Sequence, residues 1–170
     1  TNKDEEVSPE NLNALGFHVP GRFDKILDID HCFLQQDPSN DLRNSIRDFA
    51  IANEISFYDL RAHEGALRNL IIRTASTGET MVIVVFAYPE EGQVELLMNF
   101  IADKFPDICS LLYIINQKRN DTIFGQDIHI FKGRDFIYEE MEGLKFKVGP
   151  KSFYQTNSAQ AYELYKVTRE

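Results

Sequence analysis

The residues best suited to chemistry in this 170-residue chain fall in a few short stretches. Asp28, Asp30, His31 and Cys32 cluster within five residues, and carboxylate, imidazole and thiolate are all competent metal ligands. One Cys with one His lacks the paired spacing of a zinc site, so a structural cysteine is the better account of Cys32. Asp127 and His129 stand two apart on a predicted strand and share a face, where a carboxylate could orient an imidazole for acid–base work. No Ser or Cys nucleophile lies nearby in sequence, and a solvated pair is favoured over a small metal-dependent enzyme. Cys109 precedes a hydrophobic strand and has no basic neighbour to lower its pKa, so it is expected in the core. Arg68 and Arg73 are an odd number apart on a predicted strand, which points them to opposite faces. Their expected partners are Glu64 or Glu79.

Residues 143–157, GLKFKVGPKSFYQTN, are less ordinary. Lys145, Lys147 and Lys151 interleave with Phe146, Phe153 and Tyr154. Cations neutralise phosphates and aromatic rings stack bases, which is what a single-stranded nucleic acid requires. The competing account is a plain strand, with Leu144, Phe146 and Val148 buried and the lysines wet.

The elements that must position these residues follow from apolar periodicity. A short strand is expected near 25–30 and a helix over 40–53, where Leu42, Ile46, Phe49 and Ala50 recur at helical spacing. ALRNLIIRTA and TMVIVVFAY form a hairpin across Ser76-Thr77-Gly78-Glu79. A second helix carries Val94, Leu97, Met98, Ile101 and Phe105 and is closed by Pro106. SLLYIINQ is a buried strand, and QDIHIFKG, DFIYEEM and GLKFKV follow as three short strands. Asn157 or Ser158 caps a last helix bearing Ala161, Leu164, Tyr165 and Thr168 on one side. The order predicts an α+β fold with a mixed, mainly antiparallel sheet and two or three helices: a ferredoxin-like βαββαβ core plus a β-meander. Thr1 in place of Met, and a final helix with no stop signal, predict a piece of a longer protein.

Charge narrows the function classes. The chain carries a net −9 with 43% hydrophobic residues, so it is neither disordered nor a typical stand-alone polyanion binder. Residues 1–60 hold five Lys and Arg against twelve Asp and Glu, a net −7, which leaves the remainder near neutral. No run is long and apolar enough to span a bilayer, and the acidic N-terminus is unlike a signal peptide. Two cysteines make no disulfide framework, and a cytoplasmic location is expected.

GLKFKVGPKSFYQTNSAQAYELY resembles the segment that precedes the catalytic domain in bacterial RNA (uracil-5-)-methyltransferases, with Gly143, Leu144, Phe146, Val148, Pro150, Ser152, Phe153, Tyr154, Gln155 and Asn157 in register. GFHVPGRFDKILDIDHC, GALRNLIIRTASTGETMVIVV and QKRNDTIFGQDIHIFKGRDFIYEEM resemble three upstream motifs of the same family, in the same order. The resemblance implies an S-adenosylmethionine-dependent enzyme acting on 23S rRNA, with tRNA as the second choice and no obligate protein partner or membrane. A cysteine thiolate attacks C6 of a flipped uridine, C5 takes the methyl group, and a base then removes the C5 proton. In family members those groups lie beyond the position of Glu170, so no catalytic residue is expected here and the isolated piece should be inactive. The division implied is a polar tail over 1–15, a central RNA-contacting domain over 16–157, and from 158 to 170 the start of a helix leading into a catalytic domain. By resemblance Gln155 contacts S-adenosylmethionine, Phe153 faces RNA and Lys151 meets a phosphate; Arg68 is expected as a further RNA contact. Cys32 matches the fourth ligand of a [4Fe–4S] cluster whose other three cysteines lie further towards the N-terminus in family members. The alternative function is a non-catalytic RNA-binding or regulatory module.

Overall fold

The structure is a computed structural model that describes residues 13–169, apart from the side chain of Phe23; most of the predicted polar tail lies outside the described residues. At its centre is a four-stranded sheet in the order β3-β4-β5-β6, formed by β3 (Leu67–Thr74), β4 (Thr80–Phe86), β5 (Ser110–Ile115) and β6 (His129–Gly133). β3 and β4 are the predicted hairpin, paired from Leu67↔Phe86 to Thr74↔Thr80. β4 and β5 run parallel, joined by α2 (Gln93–Lys104), and β6 returns antiparallel to β5. β4 has sheet neighbours on both edges and packing on both faces. Its sequence therefore reads as an unbroken apolar run, and every residue of it is buried.

The period-2 alternation of the sheet divides the core in two. Val82, Val84 and Phe86 face α1 (Ser39–Ala52) and α2, where they meet Leu42, Ile46, Leu97, Met98 and Ile101. Phe49 and Phe100 stack between the helices at 3.9 Å. Met81, Ile83 and Val85 face the other way, together with Leu112 and Ile114, towards Ile137, Val148, Ile123, Ile128 and Tyr154. That second layer is the hairpin of β7 (Ile137–Met141) and β8 (Leu144–Val148) with the irregular segments around it. Glu142 and Gly143 make the turn between them, both at positive φ (51° and 75°), the geometry of a two-residue hairpin turn.

The α+β class holds, but the arrangement is not ferredoxin-like. The expected first strand is β2 (Arg22–Asp28), which pairs only with β1 (Gly16–Val19) in a separate hairpin. A split βαβ sheet needs that strand inside it, and here the place beside β4 is taken by β5. The expected meander is also divided, since β6 joins the central sheet while β7 and β8 pair only with each other. Burial along β8 differs too. Val148 is buried, but Leu144 is 62% exposed and Phe146 remains exposed, because nothing described here covers the end of the hairpin near its turn. The last helix, α3 (Ser158–Arg169), buries only Ala161 of its expected apolar side; Leu164 and Tyr165 stay exposed.

Candidate nucleic-acid interface

The segment after β8 is held in a fixed shape by its own backbone and by one arginine. Gly149 donates its N–H to the Ser152 hydroxyl (3.0 Å), and Ser152 donates its N–H to the Gly149 carbonyl (3.1 Å), which closes a tight turn over Pro150 and Lys151. Arg73, at the far end of β3, donates Nη1 to the Ser152 carbonyl (2.8 Å) and Nη2 to the Pro150 carbonyl (3.1 Å). No carboxylate among the described residues pairs with it, and burial holds its pKa below the usual arginine value. Tyr154 turns inward onto the second core layer, where burial and the nearby Glu139 charge push its phenol pKa up.

With Tyr154 inward, Lys151, Phe153 and Gln155 are presented outward. Phe153 is 87% exposed, far beyond what a core aromatic tolerates. Lys151 donates one N–H to the Gln126 carbonyl (2.9 Å), and its other two donors have no partner among the described residues. Gln155 is exposed and makes no hydrogen bond among the described residues. The three residues expected at the interface from residue 151 onward therefore stand together on one strip.

The helix that follows is fastened at both ends. Asn157 caps it through Oδ1 to the Gln160 N–H (3.0 Å). Glu139 on β7, a buried carboxylate, accepts the Ser158 hydroxyl (2.9 Å), the Ser76 hydroxyl and the N–H groups of Ser76 and Glu140. Burial pushes the Glu139 pKa up, but these donors outweigh it and hold the carboxyl below the usual range. At the other end Arg169 forks onto Glu142 at 2.7 and 2.9 Å.

Arg68 stands apart from the strip. Its side chain is 1% exposed and its guanidinium is turned onto a loop rather than outward. It donates to the carbonyls of Asn116 (3.0 Å), Lys118 and Asn120 (2.9 Å) and pairs with Asp121 (3.0 Å). A β-bulge between Leu67 and Asn69 lies at this residue. Neither Arg68 nor Arg73 takes Glu64 or Glu79 as a partner; Glu79 pairs with Arg134 and accepts the Tyr138 N–H. Spacing alone could not show this, because the carbonyls both arginines bind lie about fifty or eighty residues away in sequence.

The other candidates disperse. Asp28 and Asp30 both pair with Arg47 (3.1 and 3.2 Å). Cys32 lies on the loop before α1, its N–H and carbonyl both bonded to the Asn40 side chain (2.8 and 3.2 Å). Arg43 ties the same loop to α1 through the carbonyls of Ile29 and Asp30. Among the described residues no three His, Cys, Asp or Glu side chains converge as a metal site. Cys32 is a single thiol, so the described residues alone cannot hold the expected [4Fe–4S] cluster, and nothing is derived through one. The residue expected to contact S-adenosylmethionine, Gln155, has its carboxamide exposed and without a hydrogen bond among the described residues. His129 stacks on Tyr113 (4.8 Å) and makes no hydrogen bond with Asp127, and Cys109 is half-buried rather than fully in the core. No helix among the described residues is long and apolar enough to cross a membrane.

No protein-family model matches the chain. It is 60% identical to an uncharacterized RNA methyltransferase of Bacteroides thetaiotaomicron over 98% of its own length and 37% of that protein. It is 52% identical to another from Porphyromonas gingivalis over 98% of its length and 36% of that protein. The chain thus spans just over a third of the length of these curated relatives. Its backbone also matches the crystal structure of Pyrococcus abyssi tRNA (uracil-54, C5)-methyltransferase in complex with S-adenosyl-L-homocysteine, with a TM-score of 0.69 and 30% identity, over 86% of this chain and 36% of that one. By sequence and by backbone alike, the chain is homologous to one part of the RNA methyltransferases, among them a uracil-5 enzyme.

Proposed function

We propose that the whole protein is a cytoplasmic enzyme that transfers a methyl group from S-adenosylmethionine to C5 of a uridine in 23S rRNA, and that residues 16–157 are its substrate-handling domain. The observation that carries this reading is the strip held by Arg73. It fixes Phe153, Lys151 and Gln155 in an outward row, in a chain that matches RNA methyltransferases along nearly its whole length. Phe153 stacks on a base beside the target, Lys151 meets a phosphate, and Gln155 contacts the cofactor where it approaches the uridine. Arg68 serves the RNA indirectly, by shaping the loop it binds. From residue 158 on, α3 leads towards a domain carrying the nucleophilic cysteine and the base.

The test is methyl transfer from labelled S-adenosylmethionine to unmodified 23S rRNA and to unmodified tRNA, with the full-length protein beside residues 1–170 alone. Label in 23S rRNA from the long form only is the expected result. Label in tRNA instead would keep the chemistry and change the substrate. Silence on both, from a folded protein, would return the chain to a non-catalytic RNA-binding module. Gln155→Ala in the full-length enzyme should raise the KM for S-adenosylmethionine while leaving the fold intact, since exposed side chains seldom carry stability.

A further inference from the structure

We infer that the loop over residues 117–126 is a second base-stacking platform for single-stranded RNA, in which Phe124 offers the ring and Lys118 and Arg119 offer the phosphate contacts. The inference rests on the reading above, in which Phe153 faces RNA.

Phe124 is 65% exposed, although its neighbour Ile123 packs on the core layer that also holds Tyr154. The same alternation therefore operates twice on one side of the sheet. Ile123 is anchored and Phe124 is displayed; Tyr154 is anchored and Phe153 is displayed. The two segments touch, because the Lys151 ammonium donates to the Gln126 carbonyl (2.9 Å).

The loop is rigid for identifiable reasons. Buried Asn116 donates to the carbonyls of Asn120 (3.1 Å) and Thr122 (3.4 Å) and accepts from the Gln126 amide (2.7 Å) and the Lys118 N–H (3.0 Å). Arg68 takes three carbonyls, and Asp121 is turned back onto it. The loop's carbonyls thus face inward and its one paired acid is neutralised, while Lys118 and Arg119 remain exposed. A preorganised loop loses little entropy on binding, so its exposed ring and cations can favour a ligand directly. Single rings flanked by cations suit splayed bases on a phosphate chain; a protein partner would call for a contiguous apolar patch.

The experiment measures binding of a short fluorescent single-stranded RNA of mixed sequence to the full-length protein and its Phe124→Ala, Phe124→Trp, Phe153→Ala and Lys118→Ala/Arg119→Ala variants. Phe124→Ala should weaken binding roughly 5- to 150-fold, the range for losing one stacked base, and Phe124→Trp should restore it. The double variant should flatten the slope of log K against log salt by about 1.4, for two lost phosphate contacts. Normal binding by Phe124→Ala with weakened binding by Phe153→Ala would overturn this inference and leave the broader reading standing. Loss in Phe124→Ala that Trp does not restore would overturn the stacking role. Normal binding by both alanine variants, or none by the wild type, would overturn both.

Discussion

Glu139 is the residue on which the attachment of α3 depends most, and replacing it gives a quantitative test. Its carboxylate collects the Ser76 N–H at 3.1 and 3.2 Å, the Ser76 hydroxyl, the Ser158 hydroxyl at 2.9 Å and the Glu140 N–H at 3.1 Å, with the residue 2% exposed. Glu139→Ala leaves the Ser76 N–H and the Ser158 hydroxyl without their acceptor. At about 1–3 kcal/mol for each of these two stranded donors, the expected local cost is about 2–6 kcal/mol. Glu139→Gln keeps the shape but removes the charge that strengthens these bonds, for about 1–2 kcal/mol. α3 has little else to hold it, since Ala161 is its one buried residue and the Arg169–Glu142 pair is exposed to solvent.

The loss should appear as hydrogen exchange of the α3 amides rather than as global unfolding, because β4 and β5 do not touch these donors. Two kcal/mol corresponds to roughly 30-fold faster exchange, so the Ala variant should accelerate α3 by at least that factor while β4 stays protected. The pH dependence has a definite sign. Folding holds the Glu139 carboxyl below its usual value, so its contribution is complete above the ordinary glutamate pKa, about 4.3, and is lost as pH falls through the lowered folded value. Wild-type α3 should loosen across that acidic range, and the Gln variant should show only the smaller step left by the solvent-exposed Arg169–Glu142 pair. Unchanged α3 exchange in Glu139→Ala would refute the assignment of Glu139 as the anchor.

Arg73→Met should release the Pro150 and Ser152 carbonyls at a cost of about 1–3 kcal/mol, read as a lower urea midpoint, and should lower kcat/KM for RNA in the full-length enzyme. Arg73→Lys should recover only part of either loss, since one ammonium cannot fork across both carbonyls. Gly133→Ala places a Cβ against the Cys109 carbonyl at φ +78°, inside the β5–β6 pairing, and should cost more than the roughly 1–2 kcal/mol of the left-handed backbone alone; a normal thermal midpoint would refute this. Residues 1–170 should purify anaerobically without stoichiometric iron, because Cys32 stands alone; iron measured at four per chain would refute that.

What the sequence made legible was local. The β3–β4 hairpin and α2 were readable because β-branched runs bracket a Gly turn in one case and a helical stripe ends at Pro106 in the other. Pairing between distant strands was not, because element order does not say that β2 leaves the central sheet or that β6 leaves the meander. Leu144 and Phe146 illustrate the same limit. Alternation establishes that the two faces of β8 differ, yet burial also needs a covering partner, and only Val148 has one here.

The candidate site divides along that line. The displayed residues, Lys151, Phe153 and Gln155, were visible as an unusual mixture of cation, ring and amide. The residues that position them were not, because each works through carbonyls far away in the chain. Arg73 and Arg68 look interchangeable in sequence, yet one clamps the segment after β8 and the other builds the loop beside it. Lys151 joins the two through Gln126. An arginine that binds only carbonyls contributes shape without neutralising an acid. Arg73 is such an arginine, whereas Arg68 adds an ion pair with Asp121 to its three carbonyls; the segments the two shape carry Lys118, Arg119 and Lys151 at the surface of a chain whose net charge is −9. The acidic excess is concentrated before residue 61, on the hairpin and helix α1 side, where Arg47 pairs with Asp28, Asp30 and Asp48.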